Sequence, residues 1–411
     1  MLNATVNLYK AAYSGLSRPV WWLALVIFIN RSGTMVIPFL MVYLTGIGFS
    51  KTEAGYVMGA FGLGAILGGY VGGRLTDRFG HFHVQVFSLF INGIMFIVLA
   101  QMTTLIQFAT CIFILSSLGE AFRPANSAAI ASYSTDANRT RSYSLNRLAI
   151  NLGWGIGPAV GGLVASKSFI LLFWLDGFTC MGAALLLYLL FRKDKSRKIK
   201  KLVVQSELRG NSAFRDRIFL FGMFCIFLVG LCFFQVFSMI PVYYEEVLQF
   251  SKVTIGVLLA LNGLLIALFE MVLVYKLENK RNPVWYMLAG AIFIGTSFLF
   301  FIISPVFITA LLGIIVITVG EMLLFPFVNN FWVQRSNEHN RGQYAGVYTM
   351  SFSFALVLAP TFSAQVAQHL GFPVLWIINF ILCSLAALGY FILRKQLINE
   401  NIQSRSAATM V

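Results

Sequence analysis

The chain has 411 residues, 58% of them apolar and 11% charged. A soluble domain carries about a quarter charged residues, so this composition excludes a fold that covers itself with a polar surface. The net charge of +15 is no sign of nucleic acid, because the basic residues sit between apolar runs, where the positive-inside rule places them. In chain order, twelve runs long enough to cross a bilayer as helices are predicted at 19–47, 52–73, 83–102, 104–132, 142–165, 168–191, 218–247, 252–275, 282–303, 306–334, 342–368 and 373–394. The runs are continuous rather than alternating, which excludes a β-barrel. The expected architecture is an all-α polytopic membrane protein with an N-terminal six-helix bundle (1–191), a basic linker (192–217), a C-terminal six-helix bundle (218–395) and a tail (396–411).

The linker segment Arg192 to Arg217 holds ten of the Lys and Arg residues. Alternating loops put Lys51, Lys167 and Lys252 on one face. Arg74, Arg78, Arg139, Arg141, the linker cluster, Lys276, Lys280, Arg281, Arg335, Arg341, Arg394 and Lys395 fall on the other. This bias predicts that both termini and the linker are cytoplasmic.

The halves repeat one another. Ile37-Pro38 and Phe49-Ser50-Lys51 return as Ile240-Pro241 and Phe250-Ser251-Lys252; Gly119-Glu120 returns as Gly320-Glu321, Pro158 as Pro360, all at offsets of 201 to 203 residues. The common order and offset indicate duplication.

Three groups of residues are candidates for function. The first is Gly73-Arg74-Leu75-Thr76-Asp77-Arg78-Phe79-Gly80, read as a charged turn bounded by Gly73 and Gly80, since glycine permits tight turns. The second is Gly153-Trp154-Gly155-Ile156-Gly157-Pro158-Ala159-Val160-Gly161-Gly162. Its glycines let two helix backbones approach, and Pro158 bends the helix. The third is the set of charges inside spans: Arg31, Glu120, Arg123, Asp176, Glu270 and Glu321. Each is costly in hydrocarbon, about 2.5 kcal/mol or more at the centre, so a functional role is expected. A desolvated carboxylate binds a proton near neutral pH, which is what proton coupling requires. Glu120 and Arg123, three apart on one helix, are expected to pair. Asp176 is expected near a membrane interface. Tyr43, Phe122, Trp154, Phe234 and Phe325 are candidates to line an apolar cavity.

The charged turn, the twelve spans, the central basic linker and the half-repeat together resemble the major facilitator superfamily over the whole chain. The string Gly157-Pro158-Ala159-Val160-Gly161-Gly162 resembles the antiporter motif of its twelve-helix drug/proton exporters. The resemblance implies two pseudo-symmetric bundles that alternate access to a central site, with Asp77 and Arg78 gating one mouth. It also implies proton-coupled export of small amphipathic compounds. Two departures are visible. Leu115 stands where those exporters often carry a helix-four arginine, and His81 and His83 follow the turn where basic residues are usual. Arg123-Pro124 resembles the proton-coupled peptide transporters instead, which puts uptake of peptides or other small anionic metabolites second, although Ile27 and Asn30 replace the glutamates expected before Arg31. A non-transporting receptor or scaffold is the alternative of another class.

No metal or cofactor is expected. The four histidines lack ligand spacing beyond His81 and His83, placed in a loop, and no Gly-x4-Gly-Lys phosphate loop occurs. The five cysteines all fall inside apolar runs and read as buried hydrophobes. The expected partners are a small-molecule substrate, protons and the bilayer of the plasma membrane, with the chain working as a monomer.

Overall fold

The computed structural model describes residues 15–135, 138–192, 212–277, 280–336 and 340–409, without the side chains of 140, 341 and 401–409. Among these residues there is no strand. The helices are α1 (Arg18–Ser32), α2 (Val36–Gly46), α3 (Lys51–Phe79), α4 (His81–Leu99), α5 (Leu105–Tyr133), α6 (Arg139–Ala165) and α7 (Phe169–Phe191). Most of the linker expected at 192–217, residues 193–211, lies outside the described residues; then come α8 (Arg217–Phe233), a 3-10 turn at Phe234–Phe237, α9 (Met239–Glu246), α10 (Lys252–Leu277), α11 (Pro283–Ile303), α12 (Phe307–Arg335), α13 (Arg341–His369) and α14 (Phe372–Thr409). Among the described residues, twelve spans are long and apolar enough to cross a membrane.

Local chemistry sets the ends. Thr104 and Gln107 form a reciprocal capping box that opens α5. Ser168 and Asp216 accept from backbone amides three residues on and open α7 and α8. Gly80, at φ 83°, makes the turn from α3 into α4, a conformation costly for residues with a Cβ.

The first and seventh spans, expected as continuous helices, are each interrupted. Pro38 and Pro241 lack the amide that an unbroken helix needs, and their rings would strike the carbonyl four residues back, at Thr34 and Phe237. The chain therefore leaves the helix at Gly33–Met35 and again at Phe234–Ser238, and restarts with each proline in the first turn of α2 and α9. The last span also differs: α14 runs to Thr409 rather than ending at 394.

Two compact units are formed. Unit 1 comprises residues 1–43, 60–203 and 251–267; unit 2 comprises 44–59, 204–250 and 268–411. In unit 1, α4 packs on α5 and α7, and α1 packs on α6 and α7. A core of Leu23, Val26, Ile27, Ala129, Leu145 and Leu187 lies among them. Within unit 2, α11 packs on α12 and α14, and α8 on α13 and α14. These are the same pairings at the repeat offset.

The repeat extends to single contacts. In unit 1 a Cβ on Gly256 would strike the Pro158 carbonyl oxygen; in unit 2 a Cβ on Gly55 would lie 2.9 Å from that of Pro360. Lys252 lies over the Phe169 ring, 5.0 Å from its centroid, in unit 1. Lys51 lies 5.6 Å from the Phe372 centroid and 2.8 Å from the Glu246 carboxylate in unit 2. All five cysteines are buried and free.

Candidate functional site

The charged Gly73–Gly80 segment is not a turn bounded at both ends. The α3 helix continues to Phe79, and only Gly80 departs from it. Gly73 is helical with open space where its Cβ would be, so it makes neither a turn nor a close approach. The close-packed positions are Gly64, Gly68 and Gly72, one per helical turn, set against Phe113, Ser117 and Ala121 of α5. The signal for that stripe in the sequence is its four-residue spacing, which the expectation of a turn at Gly73 did not use. Asp77 and Arg78 are exposed at the end of α3. Arg74 stacks over Tyr70 and Arg78 over Phe79, at 4.3 and 5.2 Å. His81 and His83 lie in the first turn of α4, not in a loop.

The glycines of α6 serve two different neighbours. Gly153, Gly157 and Gly161 face the interruption of the first span: a Cβ on Gly153 would come 2.5 Å from Arg31 Cβ, on Gly157 3.2 Å from the carbonyl oxygens of Arg31, Ser32 and Thr34, and on Gly161 3.0 Å from Met35 Cβ. Gly155 and Gly162, one heptad apart, face α10, where Gly263 and Gly256 present the matching pair. Pro158 lies inside α6, which is assigned as helix throughout.

The interruption at Gly33–Met35 is the centre of the candidate site in unit 1. Gly33 is pressed against Thr179 of α7, where a Cβ would overlap the hydroxyl. Asp176 of α7 is fully buried, not interfacial as its place near a span end suggested. Its carboxylate accepts from the amides of Met35 (3.1 Å to each oxygen) and Val36 (2.8 Å), the first free donors of α2. Asn30 donates to Cys180 Sγ at 3.4 Å. Arg31 Nε and Ser32 Oγ are buried without a hydrogen-bond partner among the described residues, an arrangement that costs about 1–3 kcal/mol per group unless something fills it.

Arg31 lies in the field of Glu120 and Arg123 of α5. Glu120 and Arg123 do pair, at 2.9 Å, with Glu120 mostly covered and the Arg123 side chain 68% exposed. Below them a polar chain links α4, α5 and α6, from Gln85 through Asn126 to Asn146.

Glu270 and Glu321, the remaining candidates, belong to unit 2. Glu270 is buried in α10 and Glu321 is half-buried in α12. At the 203-residue offset of the Ile-Pro pair, Phe234 stands in the place of Arg31; it meets Phe352 at 4.9 Å, and its neighbour Phe233 packs against Phe325 at the same spacing. Of the aromatic candidates, Phe234 and Phe325 thus lie in one cluster, whereas Phe122 is buried in the core of unit 1. An apolar groove of about 360 Å³ runs between α8 and α13, lined by Met223, Phe224, Phe227, Val347 and Phe354.

Unit 2 also holds a clasp that sequence reasoning missed. Arg335 at the end of α12 grips Asp216 (2.7 and 3.0 Å) and Glu400 of α14 (3.0 and 3.3 Å), each through two hydrogen bonds. Tyr344 donates to Asp216 at 2.9 Å. Burial alone would push the Asp216 carboxyl up; hydrogen bonds from Arg335, the Phe219 amide and Tyr344 outweigh it and hold the group below its ordinary value.

Twelve spanning helices, a duplicated pattern of interruptions and a buried charge at one of them define a membrane transporter, not an enzyme. Residues 23–360 match the family described as Major Facilitator Superfamily, and the chain belongs to it. It is 26% identical to the Na(+), Li(+), K(+)/H(+) antiporter of Planococcus maritimus, over 89% of this chain and 92% of that one. It is 24% identical to multidrug resistance protein 1 of Bacillus subtilis, over 79% and 83% of the two chains. Among solved structures, the nucleoside transporter NupG superposes with a TM-score of 0.78 at 16% identity, covering 92% of this chain and all of that one. A variant of the peptide transporter POT superposes with a TM-score of 0.75 at 16% identity, covering 93% and 94%. At this identity the two structures establish the fold alone.

Proposed function

We propose that the protein is a proton-coupled exporter of small amphipathic compounds, set in the plasma membrane with both termini and the linker cytoplasmic. Residues 1–191 and 218–395 act as two bundles that expose a site to each side in turn, within one monomer. The observation that carries this reading is the buried Arg31 Nε, lacking a partner, at a helix interruption gripped by the antiporter-type glycines of α6 and lying in the field of Glu120. Glu120 takes up the proton, Arg31 and Arg123 set the charge it titrates against, and Glu270 and Glu321 add acceptors on the other half. Asp77, Arg78 and Gly80 work at one mouth as a gate. Similarity to an ion/proton antiporter and to a multidrug resistance protein favours export.

The test is ethidium accumulation in efflux-deficient cells. Expression should lower accumulation, and Glu120→Gln, Arg31→Ala or a protonophore should restore it to control levels. Undiminished efflux by Glu120→Gln would remove the proton role from this residue.

A second reading, inward transport of small anionic metabolites or peptides, draws on the same Arg31, whose spare donor suits a carboxylate. It predicts no effect on ethidium and proton-dependent uptake of a labelled dipeptide.

A further inference from the structure

We propose that Asp176 is a positioning residue of this transporter: by closing the start of α2 it fixes the Arg31–Met35 turn and so holds the Arg31 guanidinium at the site. The inference rests on the reading that Arg31 belongs to the transport site.

An acid within a spanning segment is costly, and one with no solvent contact must be held by donors. Asp176 is held by backbone: among the described residues its carboxylate accepts from the amides of Met35 and Val36. The interruption leaves the Val36 amide without a backbone acceptor, while the Met35 amide is shared between Asp176 and the Gly33 carbonyl at 2.9 Å. Pro38 has no amide, so the free donors at the start of α2 are few, and the positive pole they make is complemented by a carboxylate. The Thr179 hydroxyl donates to the Asp176 carbonyl at 3.0 Å and backs on to Gly33. Gly153 and Gly157 close the other side of the turn. The turn that carries Arg31 is therefore pinned from α6 by shape and from α7 by charge.

The other half supplies the comparison. At the 203-residue offset that relates Ile37 to Ile240, Asn379 stands in place of Asp176 and Phe234 in place of Arg31. The Asn379 amide nitrogen is buried without a partner among the described residues and caps nothing. The interruption of that half is held instead by Gln235, which donates to the Leu231 carbonyl and to Ser363 at 2.9 and 2.5 Å. Acid and guanidinium occur together in one half and are lost together in the other, as expected of a residue whose charge serves the arginine rather than the fold.

The experiment uses the full chain in nanodiscs. Two rates are measured for wild type, Asp176→Asn and Asp176→Glu: amide exchange over residues 33–37, and phenylglyoxal modification of Arg31 read by mass spectrometry. Ethidium efflux from everted vesicles gives the half-saturating concentration and the maximal rate. In Asp176→Asn, exchange should quicken at least tenfold and Arg31 modification at least threefold. The half-saturating ethidium should rise at least fivefold with the maximal rate within twofold, and Asp176→Glu should recover most of each change. Faster exchange with Arg31 modification unchanged would overturn the proposal, because the cap would then hold backbone only. So would unchanged exchange, or failure of Asp176→Asn to reach the membrane, which would assign the residue to folding. If wild type moves no ethidium, the export reading falls while the two rates still decide the position of Arg31.

Discussion

Replacing Gly162 with alanine tests the reading of the α6 glycines most directly. The added methyl would overlap the Lys252 carbonyl oxygen and lie 3.1 Å from Gly256 Cα, where carbon atoms prefer about 3.5–4.0 Å. Both obstacles are backbone and cannot rotate aside. Overpacking of this kind costs about 1–3 kcal/mol, against a gain of up to about 1 kcal/mol in helix propensity. Gly182 in α7 and Gly73 in α3 have open space at the same position, so alanine there yields the propensity gain alone. The stability of Gly162→Ala should therefore fall below that of either control by about 1–3 kcal/mol, measured by thermal unfolding of the purified protein in one detergent. Gly256→Ala meets the Pro158 carbonyl and Gly162 from the other side. Once the first methyl has parted the helices, the second costs less, so the double variant should be less destabilised than the sum by about 0.5 kcal/mol or more. A Gly162→Ala protein as stable as Gly182→Ala would refute the close approach of α6 and α10 and with it the packing role of the motif.

Because Asp216 is held below its ordinary value when folded, its contribution is complete above the unfolded carboxyl range near pH 4 and is lost as pH falls through the folded value. Asp216→Asn should cost about 1–3 kcal/mol at pH 7 and abolish that acid-side loss; an unchanged pH dependence of unfolding would remove Asp216 from the clasp. Lys51 and Glu246 are partly solvated, with side chains 23% and 34% exposed, so a double-mutant cycle should give a coupling of about 0.2–1 kcal/mol that shrinks in high salt. A coupling that persists at 1 M salt would show a drier environment than this. The five cysteines should resist a polar maleimide in the native protein and react after denaturation; fast native labelling of any one would contradict its burial.

Much of the fold was legible. Apolar length fixed the number of spans, and the duplicated Ile-Pro and Phe-Ser-Lys strings fixed the repeat that the contacts of Lys51 and Lys252 reproduce. The glycine string in α6 was read as a close-approach surface, though not as two surfaces. The interruptions were not foreseen, because hydropathy is blind to backbone donors; the signal was Pro38 and Pro241 in mid-span. Asp176 was misplaced because position along a segment says nothing about a partner 140 residues away. The turn at Gly73 was expected from composition, but charged residues also extend a helix when no residue near them must leave it. The clasp of Asp216, Arg335 and Glu400 joins three distant stretches by pairing that no local pattern encodes.

The paired interruptions also say something about descent. An ancestral half carrying one Ile-Pro break, joined to its copy, would have begun with identical chemistry at both. Backbone geometry was inherited because the proline enforces it, leaving the side chains free to diverge. One copy now presents an arginine with its acid; the other presents phenylalanines packed on one another. A duplicated oily fold thereby acquired one polar interruption and one aromatic interruption without changing the helix pairings within each half.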